Sequence, residues 1–215
     1  MTIMTERPCK GLGYLDCFFG VGAHAGDTLT TMPLILASGS PRRLALLREL
    51  GLDPVVRPAD IDETPRQGEE AAAYVERLAV EKGAAVADTS EPGDVIISAD
   101  TIVVLDDELL GKPTDDADAA SMLRRLSGRT HEVMTGVAVR RGDEVSSFVE
   151  TTVVHFAEMT DDDIAWYVGT GEPADKAGAY GMQGRGGAFV ASLDGSYDNV
   201  IGLPRHRLRQ ILISD

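Results

Sequence analysis

An α/β fold built on a mixed sheet follows from three patterns in the 215-residue sequence. Short apolar runs rich in β-branched residues interleave with segments of helical period. The interleaving lacks the strict alternation of a doubly wound sheet, and two adjacent alternating runs joined at a glycine read as an antiparallel hairpin.

The elements follow in order. Leu34 to Ala37 is a buried strand, Ser38-Gly39-Ser40 a turn, and Pro41 the first helical residue, where a missing N–H costs nothing. Arg42 to Leu50 then carries leucines at 44, 47 and 50, and Gly51 closes the helix. Asp53 to Arg57 is a short strand, residues 58–68 a polar loop, and Glu69 to Asp88 a long helix. Asp94 to Leu105 is a long β-branched strand. Thr114 caps a helix that runs to about Leu126, with Asp115 and Asp116 at its positive end. Thr130 to Arg141 and Glu144 to Ala157 form the hairpin, turning at Arg141-Gly142-Asp143. Thr160 caps another helix, residues 169–187 are Gly-rich, Ala188 to Ala191 is a short strand, and the last helix follows Pro204.

With 43% apolar residues the chain can bury one good core. Its net charge of -15 argues against nucleic acid or an anionic membrane as partner, because the overall field repels both. Any anion site has to be a local basic pocket. Cys9 and Cys17 both precede the first strand, so the body cannot depend on an internal disulfide, and a reducing cytoplasm fits. Residues 1–31 lack periodicity and are expected to be a disordered leader or a misplaced start, with the folded domain over 32–215. A secretory signal is disfavoured by Asp16, which interrupts an already short apolar stretch. No apolar run approaches the ~20 residues of a membrane span.

The segment Leu34-Ile-Leu-Ala-Ser-Gly-Ser-Pro-Arg-Arg43 has the makings of an anion cradle. Two arginines in a first helical turn oppose the helix dipole, and suit that position best with an anion between them. A plain exposed helix start is the alternative. Asp100 stands at the polar centre of an apolar strand, where a carboxylate is costly unless it is paired, binds metal or faces a cleft. A structural Asp bonded to backbone is the other reading. Thr101 points to the opposite face of a regular strand, or borders the same cleft through a bulge. Lys82 falls on the apolar stripe of Val75, Leu78, Ala85 and Val86, either snorkelling outward or offering its charge to a phosphate. Lys112, in a Gly-Lys-Pro loop, is a second such cation. Glu63 and Asp100 could together hold magnesium through oxygen. Gln183, in a loop of small residues from Asp175 to Gly184, can read a base edge or simply decorate a mobile surface loop. The four histidines show no zinc-ligand spacing, and no serine occupies a nucleophile elbow.

Read together and in order, ASGSPRR, IDE, EKG, SADT, GKP, DKAGAYGMQG and GSYDNVIGLP resemble the Maf family of nucleoside triphosphate pyrophosphatases, once described as septum-formation inhibitors. The resemblance covers about residues 32 to 212. It implies a two-lobed α/β structure with a curved mixed sheet and a central cleft, related to the inosine triphosphate pyrophosphatases, and often a homodimer. It implies cleavage between the α- and β-phosphates with a divalent cation, Mg2+ or Mn2+. By the same resemblance Asp100 is the general base, Ser38, Arg42, Lys82 and Lys112 bind phosphate, and Glu63 with Asp100 binds metal. Arg43, Thr101 and Gln183 resemble the branch acting on dTTP and UTP rather than on 7-methyl-GTP. Two departures are visible: glycine at 83 where alanine is more usual, and Met182 in place of isoleucine. A regulatory nucleotide-binding protein acting on septum formation, and a nucleotidyl transferase, are the competing expectations. The transferase would need an acceptor site that the sequence does not reveal.

Overall fold

The computed structural model describes residues 33–213; the expected leader and both cysteines lie outside them. The chain forms β1 (Leu34–Leu36), α1 (Pro41–Glu49), β2 (Val55–Val56), α2 (Ala71–Ala87), β3 (Val95–Leu105), β4 (Glu108–Leu110) and α3 (Asp116–Leu126). It continues with β5 (Thr130–Arg141), β6 (Glu144–Phe156), α4 (Asp161–Val168), β7 (Val190–Asp194), α5 (Tyr197–Ile201) and α6 (Arg205–Ile213). Three 3-10 turns, at Glu172–Asp175, Ala177–Ala179 and Gly186–Phe189, fill the Gly-rich stretch.

Most expected elements are present, and the differences have local causes. β4 was not expected: Asp106 and Asp107 both adopt positive φ, 52° and 63°, and turn the chain tightly without the glycine that usually marks such a turn. α3 is capped by Asp115 rather than Thr114, because the Asp115 carboxylate accepts from Asp118 N while Thr114 N donates back to Asp118. The expected strand at 188–191 begins at Val190, since Gly186–Phe189 coils into a 3-10 turn. α5 is only five residues long, too short for periodicity to show, and rests on the Ser196 cap. Ala85 is half-buried, and Ala79 takes its place on the apolar stripe of α2.

All seven strands join one mixed sheet in the order β2-β1-β3-β5-β6-β7, with β4 beside β3. β1 runs parallel to both β2 and β3, and every other pairing is antiparallel. β5 follows β3 in unbroken register from Val95 to Val104, so no bulge reorients Thr101. The opposite edge of β3 is interrupted. β1 pairs with it only through Leu36↔Ile97, and β4 only from Val103↔Leu110. Residues 98–102 therefore face a gap in the sheet.

Alternation along β3 divides the core around that gap. Ile96, Ile102 and Val104 pack under α2. On the other face, Ile97 and Ala99 join Leu46, Leu47, Ile201 and Leu208 beneath α1, α5 and α6. Val103 and Leu105 join Leu123, Leu126, Ile164 and Tyr167 beneath α3 and α4. Thr101 stands where those two clusters part.

α2 lies unusually close to the sheet, and glycine is the reason. A Cβ at Gly136 on β5 would overlap the Val75 carbonyl and come within 2.7 Å of Glu76 N. One at Gly83 would meet Ser98 Oγ at 2.9 Å, and that hydroxyl donates to Ala79 O at 2.6 Å. Glycine at 83 thus makes room for a serine on the facing strand.

His131 is buried against Phe156 and Tyr180, its Nε2 2.8 Å from the Tyr180 hydroxyl. Burial pushes its pKa down from 6.5 to about 4, so the folded protein holds it neutral.

Gly136→Ala is expected to cost about 3 kcal/mol or more, because the obstruction is backbone. Gly83→Ala should cost roughly 1–2 kcal/mol, and most of that should return in the Gly83→Ala/Ser98→Ala double variant; urea midpoints measure both. As pH falls from 6.5 towards 4 the unfolded chain takes up a proton at His131 that the folded chain refuses. Stability should drop over that window by on the order of 3 kcal/mol, and His131→Gln should lack this component in thermal melts.

Candidate active site

The gap in the sheet opens into a cleft of about 500 Å³, a size suited to a small-molecule ligand. Ser38, Arg42, Arg43, Glu63, Lys82, Asp100, Thr101, Lys112 and Gln183, the nine residues singled out from the sequence, all line it. Asp100 and Thr101 point to opposite faces of β3 and still share the cleft, because no neighbouring strand closes the edge between them.

The close seat of α2 carries Lys82 to the cleft floor. Its ammonium, 8% exposed as a residue, lies 2.6 Å from Asp100 Oδ1 and 2.7 Å from Glu63 Oε1. Lys82 therefore does not snorkel to the surface. Burying this charge is tolerable because two carboxylates meet it. The loop bearing Glu63 is tied down by Tyr74, whose hydroxyl donates to Glu63 O at 2.8 Å, and by Arg77, which grips Glu69 and reaches Thr64 O. Burial, with the charges of Asp100 and Glu63 nearby, raises the Tyr74 pKa to about 12 and keeps it a neutral donor.

The two arginines separate. Arg42 reaches across the cleft to Asp175 at 3.7 Å, a loose contact that an anion could displace. Arg43 is anchored: Nε donates to Gly202 O at 2.9 Å, Nη1 to Ser38 Oγ at 3.0 Å and Nη2 to Thr101 Oγ1 at 3.0 Å. Burial lowers its pKa, the Asp100 charge opposes that shift, and a guanidinium remains cationic regardless.

Proton counting orients the hydroxyls around Arg43. Thr135 Oγ1 donates to Asn199 O at 3.0 Å, so in its 3.0 Å contact with Thr101 it accepts, and the Thr101 proton is committed there. Thr101, which already accepts from Arg43, has only a lone pair left for the cleft. Ser38 Oγ accepts from both Arg43 Nη1 and Ser40 N, which leaves its proton for a bound anion. Buried Asn199 completes the chain, donating to Val133 O at 2.9 Å and Thr152 Oγ1 at 3.0 Å.

Lys112 is exposed at the rim and Gln183 is exposed on the Gly-rich loop; neither has a partner among the described residues. Arg42, Arg43, Lys82, Lys112 and Lys176 thus make a local basic site in an acidic chain. Tyr74 and Thr135 escaped the sequence reading, and Asp175, inside the loop singled out there, was not expected to meet Arg42. Tyr74 precedes Lys82 by two helical turns on the same stripe, a spacing that could have found it, whereas nothing in the sequence marks Thr135. Two carboxylates beside one cationic position match what magnesium takes from protein, with water and substrate oxygens completing its shell. Among the described residues no group of three or more His, Cys, Asp or Glu is placed to hold a metal ion by itself.

Residues 33–214 match the family model for Maf-like proteins. The dTTP/UTP pyrophosphatase of Symbiobacterium thermophilum is 55% identical over 83% of this chain and 92% of its own. That of Anaeromyxobacter dehalogenans is 56% identical over 80% of this chain and 88% of its own, and that of Shewanella oneidensis 51% identical over 84% and 97%. Among solved structures, the Staphylococcus aureus Ham1 protein aligns with a TM-score of 0.45 at 16% identity over 72% of this chain and 77% of that one, too distant to carry an argument. The family match over nearly every described residue, and identities above one half to relatives covered almost end to end, establish that this chain belongs to the Maf-like protein family.

Proposed function

We propose that this chain is a nucleoside triphosphate pyrophosphatase that hydrolyses dTTP and UTP, with modified pyrimidine nucleotides as further candidates, to the monophosphate and pyrophosphate by attack of water on the α-phosphorus. The observation that carries the reading is the Lys82 ammonium held between Asp100 and Glu63 in the cleft of the SGSPRR loop, in a chain about half identical to named dTTP/UTP pyrophosphatases.

The triphosphate lies against the start of α1, where backbone N–H groups, the Ser38 proton and Arg42 meet its oxygens. Lys82 and Lys112 neutralise charge that builds on the phosphates. Asp100 takes the proton of the attacking water. The new bond joins water oxygen to the α-phosphorus, the bond from that phosphorus to the bridging oxygen breaks, and pyrophosphate departs with the electron pair. Asp100 then returns its proton to solvent. Glu63 and Asp100 would hold a divalent cation, Mg2+ or Mn2+, which when bound would supply Lewis-acid neutralisation of phosphate charge. Arg43, Thr101 and Gln183 select the base.

A purely regulatory role in septum formation would not require a carboxylate beside so many phosphate-binding cations. The same reading goes with a cytoplasmic location and with neither nucleic acid nor membrane as partner, and a homodimer is an expectation that comes from the family resemblance alone. The -15 charge supports the exclusion of polyanions, and no helix among the described residues is long and apolar enough to cross a membrane.

Pyrophosphate release across a nucleotide panel tests the reading: dTTP and UTP should lead, and chelation should abolish turnover until Mg2+ or Mn2+ returns. Asp100→Asn should lower kcat by roughly 10²–10⁴-fold with the fold intact by circular dichroism, and wild-type turnover would remove Asp100 as base. Thr135→Val should free the Thr101 proton and erode the preference for dTTP, while Thr135→Ser, which keeps the acceptor and donor, should preserve it.

A further inference from the structure

Gln183 has no partner among the described residues, yet the turn that carries it is held on both sides. Gly181 N donates to Tyr167 Oη at 3.1 Å, and that hydroxyl donates to Glu172 Oε1 at 2.9 Å. Beyond Gln183, Gly186 N donates to Glu172 Oε1 at 3.1 Å and Arg185 N to Glu172 Oε2 at 3.0 Å. One carboxylate and one buried phenol thus tie down the backbone before and after the side chain assigned to base reading.

The glycines confirm how tightly the turn is seated. Gly184 has φ +123°, and a Cβ there would come within 2.8 Å of both Glu172 oxygens. A Cβ at Gly186 would overlap the Tyr167 hydroxyl, and one at Gly181 would lie 2.7 Å from Lys176 Cε. The Lys176 ammonium in turn donates to Glu172 O and Asp175 Oδ1, both at 2.6 Å, and Asp175 is the residue that meets Arg42. The base-reading turn is therefore connected through Glu172 to the wall that faces the triphosphate.

We propose that Glu172 is a positioning residue for substrate choice: its carboxylate fixes the 181–186 turn so that the Gln183 amide meets the base already oriented. This rests on the reading of Gln183 as a base reader. Preorganisation of this kind appears as selectivity and KM rather than as the chemical step, since a freed loop can still release its substrate to an intact Asp100. Burial works against the charged form of Glu172, but the Arg185 and Gly186 amides and the Tyr167 hydroxyl outweigh it and hold its pKa below the usual glutamate range. The clamp is thus an ionised acceptor at neutral pH.

The test is a double-mutant cycle in the purified full chain, with dTTP against dATP as substrates and Mg2+ present. Glu172→Gln sets an amide NH2 against backbone donors, and should lower the dTTP preference and raise the KM for dTTP by about 10-fold, with kcat at saturation changed far less. In a Gln183→Ala background the same substitution should leave selectivity where Gln183→Ala alone puts it. Tyr167→Phe keeps the ring packed on Phe189 and should move selectivity in the same direction, which covers the case of poor folding in the first variant. Unchanged selectivity in Glu172→Gln and Tyr167→Phe, or a loss that persists in full beside Gln183→Ala, overturns the proposal. Unchanged selectivity in Gln183→Ala alone overturns it too, and that result is distinguishable because it removes the base-reading assignment itself.

Discussion

The shared burial of the Lys82 ammonium between Asp100 and Glu63 is the constraint on which the rest of the structure turns. An ammonium under the sheet's covering helix is tolerable only with both carboxylates close, and they are close only because α2 rests on the backbone of β5 at Gly136. Position 83 has to be small for the same reason, with the Ser98 hydroxyl directly beneath it. The loop from 63 to 69 is drawn in by Tyr74 and Arg77, two residues of the same helix. Helix packing, loop anchoring and the placement of the Asp100 carboxylate are therefore one arrangement.

The cleft has a second source of order, the hydroxyl chain from Ser38 through Arg43, Thr101 and Thr135 to Asn199. Each donor in it has one acceptor, and the chain's directionality follows from the fact that a guanidinium cannot accept and a carbonyl cannot donate. It turns two similar hydroxyls into different tools: Ser38 presents a proton to the cleft and Thr101 presents a lone pair. The two arginines of the SPRR turn diverge for the same reason, one enclosed by this chain and one loosely held by Asp175.

Residue types and order carried most of the site, because buried charge in an apolar strand and a lysine on an apolar stripe are anomalies that a single chain displays. Asp100 and Lys82 were legible in this way, and Ser38, Arg42 and Arg43 through their place at a helix start. Their meeting was not: Lys82 reaches Asp100 through the contact at Gly136, more than fifty positions along the chain, and strand pairing is what brings that glycine beneath α2. Thr101 shows the same limit. Alternation correctly put it on the face opposite Asp100, and only the early end of β1 and late start of β4 explain how both reach one cavity. Thr135 and Glu172 act through backbone carbonyls and amides, whose positions no side-chain pattern advertises. β4 went unread because two aspartates took up a left-handed turn that sequence normally reserves for glycine or asparagine.

The interrupted edge of β3 also determines how the molecule can yield. The two core clusters on one face are joined through the long strands β3 and β5, which run past the interruption without a break in their pairing. Widening the cavity would therefore bend the continuous three-stranded ribbon of β3, β5 and β6 instead of swinging a hinge at a flexible connection. A guest that fits the resting aperture would thus be received by walls whose spacing the unbroken strand pairing already sets.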